Sequence, residues 1–204
     1  MQLVVLAALV VAWCAVHSGM IAVSVTERLQ QRLGPAYRFY RLFYNAVSIL
    51  SFIAVAGYAA VLRAEPLFRW DGYLRIVQVL MLATAALFFL LGAGRFDASR
   101  FFGFRQLREE TAHQGITAGG GLDTSGVLGV TRHPWYLATL LLLWARPLDV
   151  STLVVNAILT AYLVVGAHLE ERKLAREFGE GYRAYQKNVS MLIPVKWVRA
   201  RLSR

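Results

Sequence analysis

The sequence predicts an all-α, polytopic integral membrane protein with about five transmembrane helices, the fourth of them short, and a cytoplasmic C-terminal helical tail. Three observations carry this expectation. Hydrophobic residues make up 57% of the 204 residues and charged residues only 17%, with a mean hydropathy of +0.49, well above a soluble globular average. Uncharged runs near the length needed to cross a hydrocarbon core of about 30 Å recur along the chain. The Lys and Arg residues gather at the ends of those runs, which is the arrangement that orients a membrane protein.

The first run, Leu3 to Val23, holds no Lys, Arg, Asp or Glu. Only Met1 and Gln2 precede it, without the basic stretch that opens a signal peptide, so it reads as a retained helix. Residues 24–41 carry Glu27, Arg28, Arg32, Arg38 and Arg41, with a break at Gly34-Pro35. The second run is Leu42 to Leu62, and the third is Ile76 to Gly94, after a polar link at 63–75 containing Pro66 and Gly72. Residues 95–131 are polar and glycine-rich, a length of loop that in a compact protein is functional or disordered. Residues 133–145 lie between Arg132 and Arg146 and make roughly 20 Å of helix, too short to span unaided. The fifth run, Val150 to Ala167, follows Arg146-Pro147-Leu148-Asp149 as the second arm of a tight hairpin, with Asp149 or Ser151 as its N-cap. One membrane domain, 1–204, is expected. It has three helices in 1–94, a cytoplasmic loop at 95–131, and a helical hairpin with a charged tail in 132–204.

Charge placement gives the orientation. Five crossings put 24–41, 95–133 and the C-terminal tail on one side, and these hold most of the 22 Lys and Arg; Arg63, Arg69, Arg75 and Arg146 fall on the other. The N-terminus is therefore expected outside and the tail in the cytoplasm of a bacterial or archaeal inner membrane. The net charge of +10 is explained by this pattern, so nucleic acid is not an expected partner, and membrane lipid is. A single cysteine, Cys14, makes neither an intrachain disulfide nor a zinc cluster, and no HExxH pair occurs; no metal site is expected.

The chemistry gathers in the C-terminal half. In Thr131-Arg132-His133-Pro134-Trp135-Tyr136, proline suits the first turn of a helix and pushes the residue before it towards an extended conformation. His133 should therefore sit at the N-cap, and Arg132, His133 and the helix N-terminus together suit an anion. An interfacial Arg-His anchor is the plainer alternative. Glu170-Glu171 follow the fifth run directly, and Glu171, Leu174 and Phe178 share one helical face, so Glu171 should point inward. Glu170, about 100° round the helix, should differ in role. Gly179 and Gly181 should end this helix. A hairpin brings the positive cluster and the carboxylates together, and such neighbours suit a zwitterion such as the amino-acid end of a cofactor. Gly126-Val127-Leu128-Gly129-Val130 has glycines that let backbone approach a flat ring closely, or is a flexible loop end. In the first half, His17-Ser18 lie within the first run, and Arg41, Tyr44 and Asn45 open the second. An intramembrane His or Asn lines a site or bonds between helices.

These residues resemble the integral membrane methyltransferases typified by isoprenylcysteine carboxyl methyltransferase and phospholipid N-methyltransferase. The resemblance rests on Arg132-His133-Pro134-Trp135-Tyr136, Glu170-Glu171, Leu174, Phe178-Gly179, Tyr182, Tyr185 and Pro194. His17-Ser18, Tyr40-Arg41-Leu42, Tyr44-Asn45, Phe96-Asp97 and Phe101 to Leu107 are similar to the NnrU-like and methanethiol S-methyltransferase branch. Ser190 departs from the pattern, which has proline there. The resemblance implies S-adenosylmethionine as cofactor. It assigns His133, with Arg132 or the helix N-terminus, to the cofactor carboxylate, and Glu171, with Glu170 as an addition, to its ammonium. Gly126 to Val130 would meet the adenosine, and Tyr136, Tyr182 and Tyr185 would pack around the cofactor. The acceptor would be a small thiol or a lipophilic thiol or carboxylate, with Arg41, His17 and Asn45 as candidate catalytic groups. Two alternatives stand beside this one: a non-enzymatic, haem-linked membrane accessory of the NnrU type, and a membrane sterol-type reductase.

Overall fold

The computed structural model describes residues 1–93 and 121–203. The Phe96-Asp97 and Phe101 to Leu107 motifs, and most of the 95–131 stretch, lie outside the described residues. The described chain is helical and falls into two compact units. One holds residues 1–67 and 148–159, the other the described residues of 68–93, 121–147 and 160–203.

In the first unit, α1 (Gln2–Ile21) and α3 (Tyr40–Val61) are the two apolar helices of spanning length. On α1 the buried residues Leu6, Val10 and Cys14 repeat every four positions and form one stripe, while Val4, Val5, Leu9, Val11 and Val16 are exposed. An apolar residue left outside on such a helix is in place when its solvent is lipid. The stretch read as a charged connection is itself structured. It forms an amphipathic helix, α2 (Val23–Leu33), and a 3-10 turn, Gly34–Phe39. The break falls at Gly34, whose φ of +50° ends α2 at no Cβ cost.

In the second unit, α4 (Leu74–Ala93) is the third apolar helix and packs against the short α5 (Pro134–Trp144). Phe88 and Ala85 of α4, Leu137 and Ala138 of α5, and Val127 form one buried cluster. Trp135 Nε1 donates to the Phe89 carbonyl at 3.3 Å, and Gln78 Nε2 to the Ala145 carbonyl at 2.7 Å. Gly92 allows this approach, because a Cβ there would collide with the Trp135 ring.

The long helix α6 (Val150–Asn188) contributes its first residues to one unit and the rest to the other. Asp149 is its cap: Oδ1 accepts the Thr152 N–H and the Ser151 hydroxyl, each at 2.7 Å. The expected hairpin is present. Trp144 bonds Thr160 at 3.0 Å, and the Tyr136 ring faces Gly166, so α5 and α6 run antiparallel. Helical geometry stops at Gly179, as the sequence suggested. It breaks there, with φ +55° and ψ −128°, and resumes to Asn188. A short helix, α7 (Val195–Leu202), closes the described chain.

Among the described residues four helical stretches are long and apolar enough to cross a membrane, and α5 is shorter than that. The fold is therefore an all-α polytopic membrane protein whose short helix carries the Arg-His-Pro motif at its start.

Candidate functional site

His133 is the N-cap of α5 and Pro134 its first residue, as the proline rule requires. No side chain caps this helix start, so the α5 N-terminus contributes the positive end of its dipole. Residues 131–133 are held from behind by the turn after α6. Arg132 N–H donates to the Ser190 carbonyl at 3.0 Å, His133 N–H to the Met191 carbonyl at 3.2 Å, and the Thr131 hydroxyl to that same carbonyl at 3.0 Å. The contact at Ser190 uses its carbonyl, which a proline would also supply. The Ser190 hydroxyl additionally accepts the Lys196 N–H at 3.1 Å, so the departure from the family pattern leaves this docking intact.

Glu171 points inward, as its helical face requires, and is 8% exposed. Its Oε1 accepts Arg132 Nε at 2.6 Å, and its Oε2 accepts Gln186 Nε2 at 2.9 Å. Arg132 Nη1 reaches the carbonyls of Gln186 and Val189. The Gln186 bond shows what the break at Gly179 achieves. Residues 171 and 186 on one unbroken helix would stand roughly 22 Å apart along its axis. Reversal at Gly179 brings them into contact and places Tyr182 and Tyr185 on the returning segment. Tyr182 is fully buried; Tyr185, also buried, donates its hydroxyl to the Leu128 carbonyl at 2.6 Å.

His133 is 4% exposed and lies between the two carboxylates. Its Nδ1 is 3.7 Å from Glu170 Oε2, and its Nε2 is 3.3 Å from Glu171 Oε1. The latter approach is close but off-line, and Nε2 has no hydrogen-bond partner among the described residues. A buried polar atom left this way is uncommon. Glu170 is 43% exposed, so the two adjacent glutamates do differ, one buried and fully engaged, the other at the rim.

Burial lowers the pKa of His133 more than Glu170 and Glu171 raise it, with Arg132 adding to the lowering. The ring is thus neutral at physiological pH. Burial acts to raise the Glu171 carboxyl, but the Arg132 hydrogen bond and charge, Gln186 and His133 outweigh it and hold the group below its ordinary value. Tyr182 and Tyr185 are pushed well up, chiefly by burial, so both phenols keep their protons, and Tyr185 donates its own to Leu128.

The other expected site residues divide. Gly126 does take a positive φ of +57°, opening a 3-10 turn over Gly126–Gly129. Val127 is buried in the α4–α5 cluster, with Leu128 and Val130 packed against it, and the Leu128 carbonyl is engaged by Tyr185. Tyr136 stands edge-on to His133, ring centroids 5.1 Å apart. Sequence reasoning missed Gln186 and Thr131. Gln186 follows Tyr185 and lies four residues after Tyr182, so their shared helical face was the available signal.

The candidates His17, Arg41 and Asn45 lie in the first unit. His17 on α1 is hydrogen-bonded through Nε2 to the Tyr44 hydroxyl at 2.8 Å and through Nδ1 to the Ser48 hydroxyl at 3.1 Å. Trp13 stacks on it at 4.9 Å. The Arg41 guanidinium sits 5.4 Å from the centre of the Tyr44 ring. Tyr44 is buried and joins α3 to α1 through His17. Asn45, one residue on, is half-buried.

The class of protein is thus a membrane-spanning helical chain with a buried Arg–Glu–Gln network beside a histidine whose Nε2 has no hydrogen-bond partner among the described residues. The chain belongs to the NnrU protein family, whose model matches residues 5–198. It is also similar to proteins named methanethiol S-methyltransferase. The likeness to that of Pseudomonas deceptionensis is 43% identity over 37% of this chain and 29% of the relative. To methanethiol S-methyltransferase 2 of Bradyrhizobium diazoefficiens it is 36% over 52% and 40%. To that of Mycobacterium tuberculosis it is 39% over 31% and 26%. The matched segments thus span well under half of these curated relatives' own length. No solved structure matches the chain.

Proposed function

We propose that this chain is a membrane methyltransferase that uses S-adenosylmethionine and methylates a small thiol. The observation that carries this reading is the Nε2 of His133, without a hydrogen-bond partner among the described residues and buried between two carboxylates and an arginine at the start of α5. Positive and negative groups in contact suit the zwitterionic end of the cofactor. The thiol follows from the name shared by the relatives.

His133 Nε2, at the positive end of the α5 dipole, binds the carboxylate end. Arg132 is committed to Glu171 and two carbonyls through Nε and Nη1, so its contribution there is through Nη2 and its charge. Glu170 at the rim receives the ammonium, and Glu171 behind it, both oxygens engaged, adds its charge. Tyr136, Tyr182 and Tyr185 wall the site, and the Gly126–Gly129 turn fixes its far side. When bound, the cofactor supplies an electrophilic methyl group. The chain's share of the barrier reduction is to hold acceptor and donor in line and exclude water. A thiol attacks as thiolate, and Arg41 and His17 are assigned the stabilisation of that charge, with Asn45 orienting the acceptor. The N-terminus lies outside and the site and tail face the cytoplasm, where most Lys and Arg would then be.

Methyl transfer from labelled S-adenosylmethionine tests this. Purified full-length protein in detergent should transfer label to methanethiol or another small thiol. Arg41→Gln should lower turnover more than cofactor affinity. Cofactor binding with no transfer to any of a panel of small thiols and lipophilic thiols or carboxylates would defeat the reading.

A further inference from the structure

The first unit carries an apolar groove of about 420 Å³, lined by Met20, Val25, Leu29, Leu33, Phe39 and Phe43 together with Ala36 and Tyr40. That is the size of a small-ligand pocket. Its only side-chain polar atom, the Tyr40 hydroxyl, is already spent on the Met20 carbonyl at 2.7 Å. Whatever enters the groove therefore brings no polar atoms with it, which describes a hydrocarbon chain and excludes a headgroup.

The rim has the opposite character. Val25, Leu29 and Leu33 repeat every four residues and turn one stripe of α2 into the groove, while Arg28 and Arg32, one position earlier on each turn, stand beside that stripe. Arg28, Arg32 and Arg38 are exposed. Among the described residues none of the three forms an ion pair with a carboxylate. The single acidic residue before Glu65 is Glu27. A helix of this kind, directly after a membrane-spanning segment, lies in the lipid–water interface. There an apolar slot with a basic rim meets a molecule having a hydrocarbon tail and an anionic head.

We propose that the groove between α2, the 3-10 turn and the facing ends of α1 and α3 is a binding site for an acidic phospholipid. One acyl chain lies in the groove and the headgroup phosphate meets Arg28, Arg32 and Arg38. The site is built wholly within the first unit and does not depend on the methyl-transfer reading.

The test uses the full-length chain in phosphatidylcholine nanodiscs containing a phosphatidylglycerol or a phosphatidylcholine probe with a photoactivatable acyl chain. After irradiation, adducts of the phosphatidylglycerol probe should concentrate on residues 20–43 and exceed those of the phosphatidylcholine probe. Arg28→Gln and Arg32→Gln, both at exposed positions, should each lower the phosphatidylglycerol yield by about fivefold and leave the phosphatidylcholine yield unchanged. Leu29→Trp, which fills the groove, should lower both. Equal labelling of 20–43 by the two probes would mean bulk lipid or an uncharged lipophile occupies the groove, and would overturn the proposal. So would adducts confined to other segments, or yields indifferent to both arginines.

Discussion

At the scale of residues, Glu171 is where the charges of the site meet. Both its oxygens are taken, and its ion pair with Arg132 is buried, the side chains being 10% and 8% exposed. Removing one member of a buried pair leaves the other uncompensated, at a cost of about 3–5 kcal/mol, whereas replacing both by apolar groups of similar size is close to neutral. Glu171→Gln should therefore lower the thermal midpoint far more than the Arg132→Met, Glu171→Met double variant. Equal losses would show that the pair is not the source of the effect. The pKa directions give a pH prediction with one sign. His133 is neutral in the folded state, so below about 6.5 the unfolded chain takes a proton that the folded chain refuses. Stability from this group is present above that pH and lost as pH falls towards the lowered folded value. Glu171, also lowered, adds a second loss as pH falls below about 4.5. Unfolding midpoints measured from pH 8 to 4 should decline, and His133→Gln should remove the upper part of that decline. The N-cap position of His133 was legible because proline constrains both itself and its neighbour. The Arg132–Glu171 bond was not legible, since side-by-side placement does not say whether two charges bind a ligand's ends or each other.

At the scale of elements, two glycines do work that a pattern of apolar runs does not reveal. Gly92 lets α4 and α5 approach, with the Trp135 ring where a Cβ would be. Gly92→Ala should cost about 1–3 kcal/mol by overpacking and weaken the Trp135 bond to Phe89, read as a changed tryptophan emission. Gly179 carries a positive φ at the break in α6. Gly179→Ala should cost about 1–2 kcal/mol and disturb the return of Gln186 to Glu171. Gly181→Ala, in open space on the resumed helix, should be neutral or mildly stabilising. Similar losses at 179 and 181 would contradict the role given to the break. Most apolar helices were legible to within two or three residues, because long uncharged runs admit few other structures in lipid. Two features were hidden. The α2 helix is short and charged and passed for a connection. The glycines marked the helix end at Gly179, but not the second helix that returns from it.

At the scale of the whole molecule, a membrane fold carries a buried polar cluster at the start of α5, the shorter apolar helix among the described residues. Its sidedness is testable by single-cysteine labelling in a Cys14→Ser background. Arg63→Cys should react with an impermeant reagent added outside intact cells, and Lys187→Cys only after the membrane is opened; the reverse would invert the orientation. Membrane class and family were legible because hydropathy and a spaced motif survive without structure, whereas the contact of Gln186 with Glu171 depends on a chain reversal that they do not encode. The central claim is that the buried cluster around His133 holds the amino-acid end of S-adenosylmethionine. Calorimetric binding of that cofactor to purified wild type and His133→Ala tests it most directly, with thermal midpoints confirming that both are folded. Loss of a hydrogen bond to a charged group predicts an affinity lower by at least about tenfold in His133→Ala. No binding to folded wild type, or equal affinity in the variant, would contradict it.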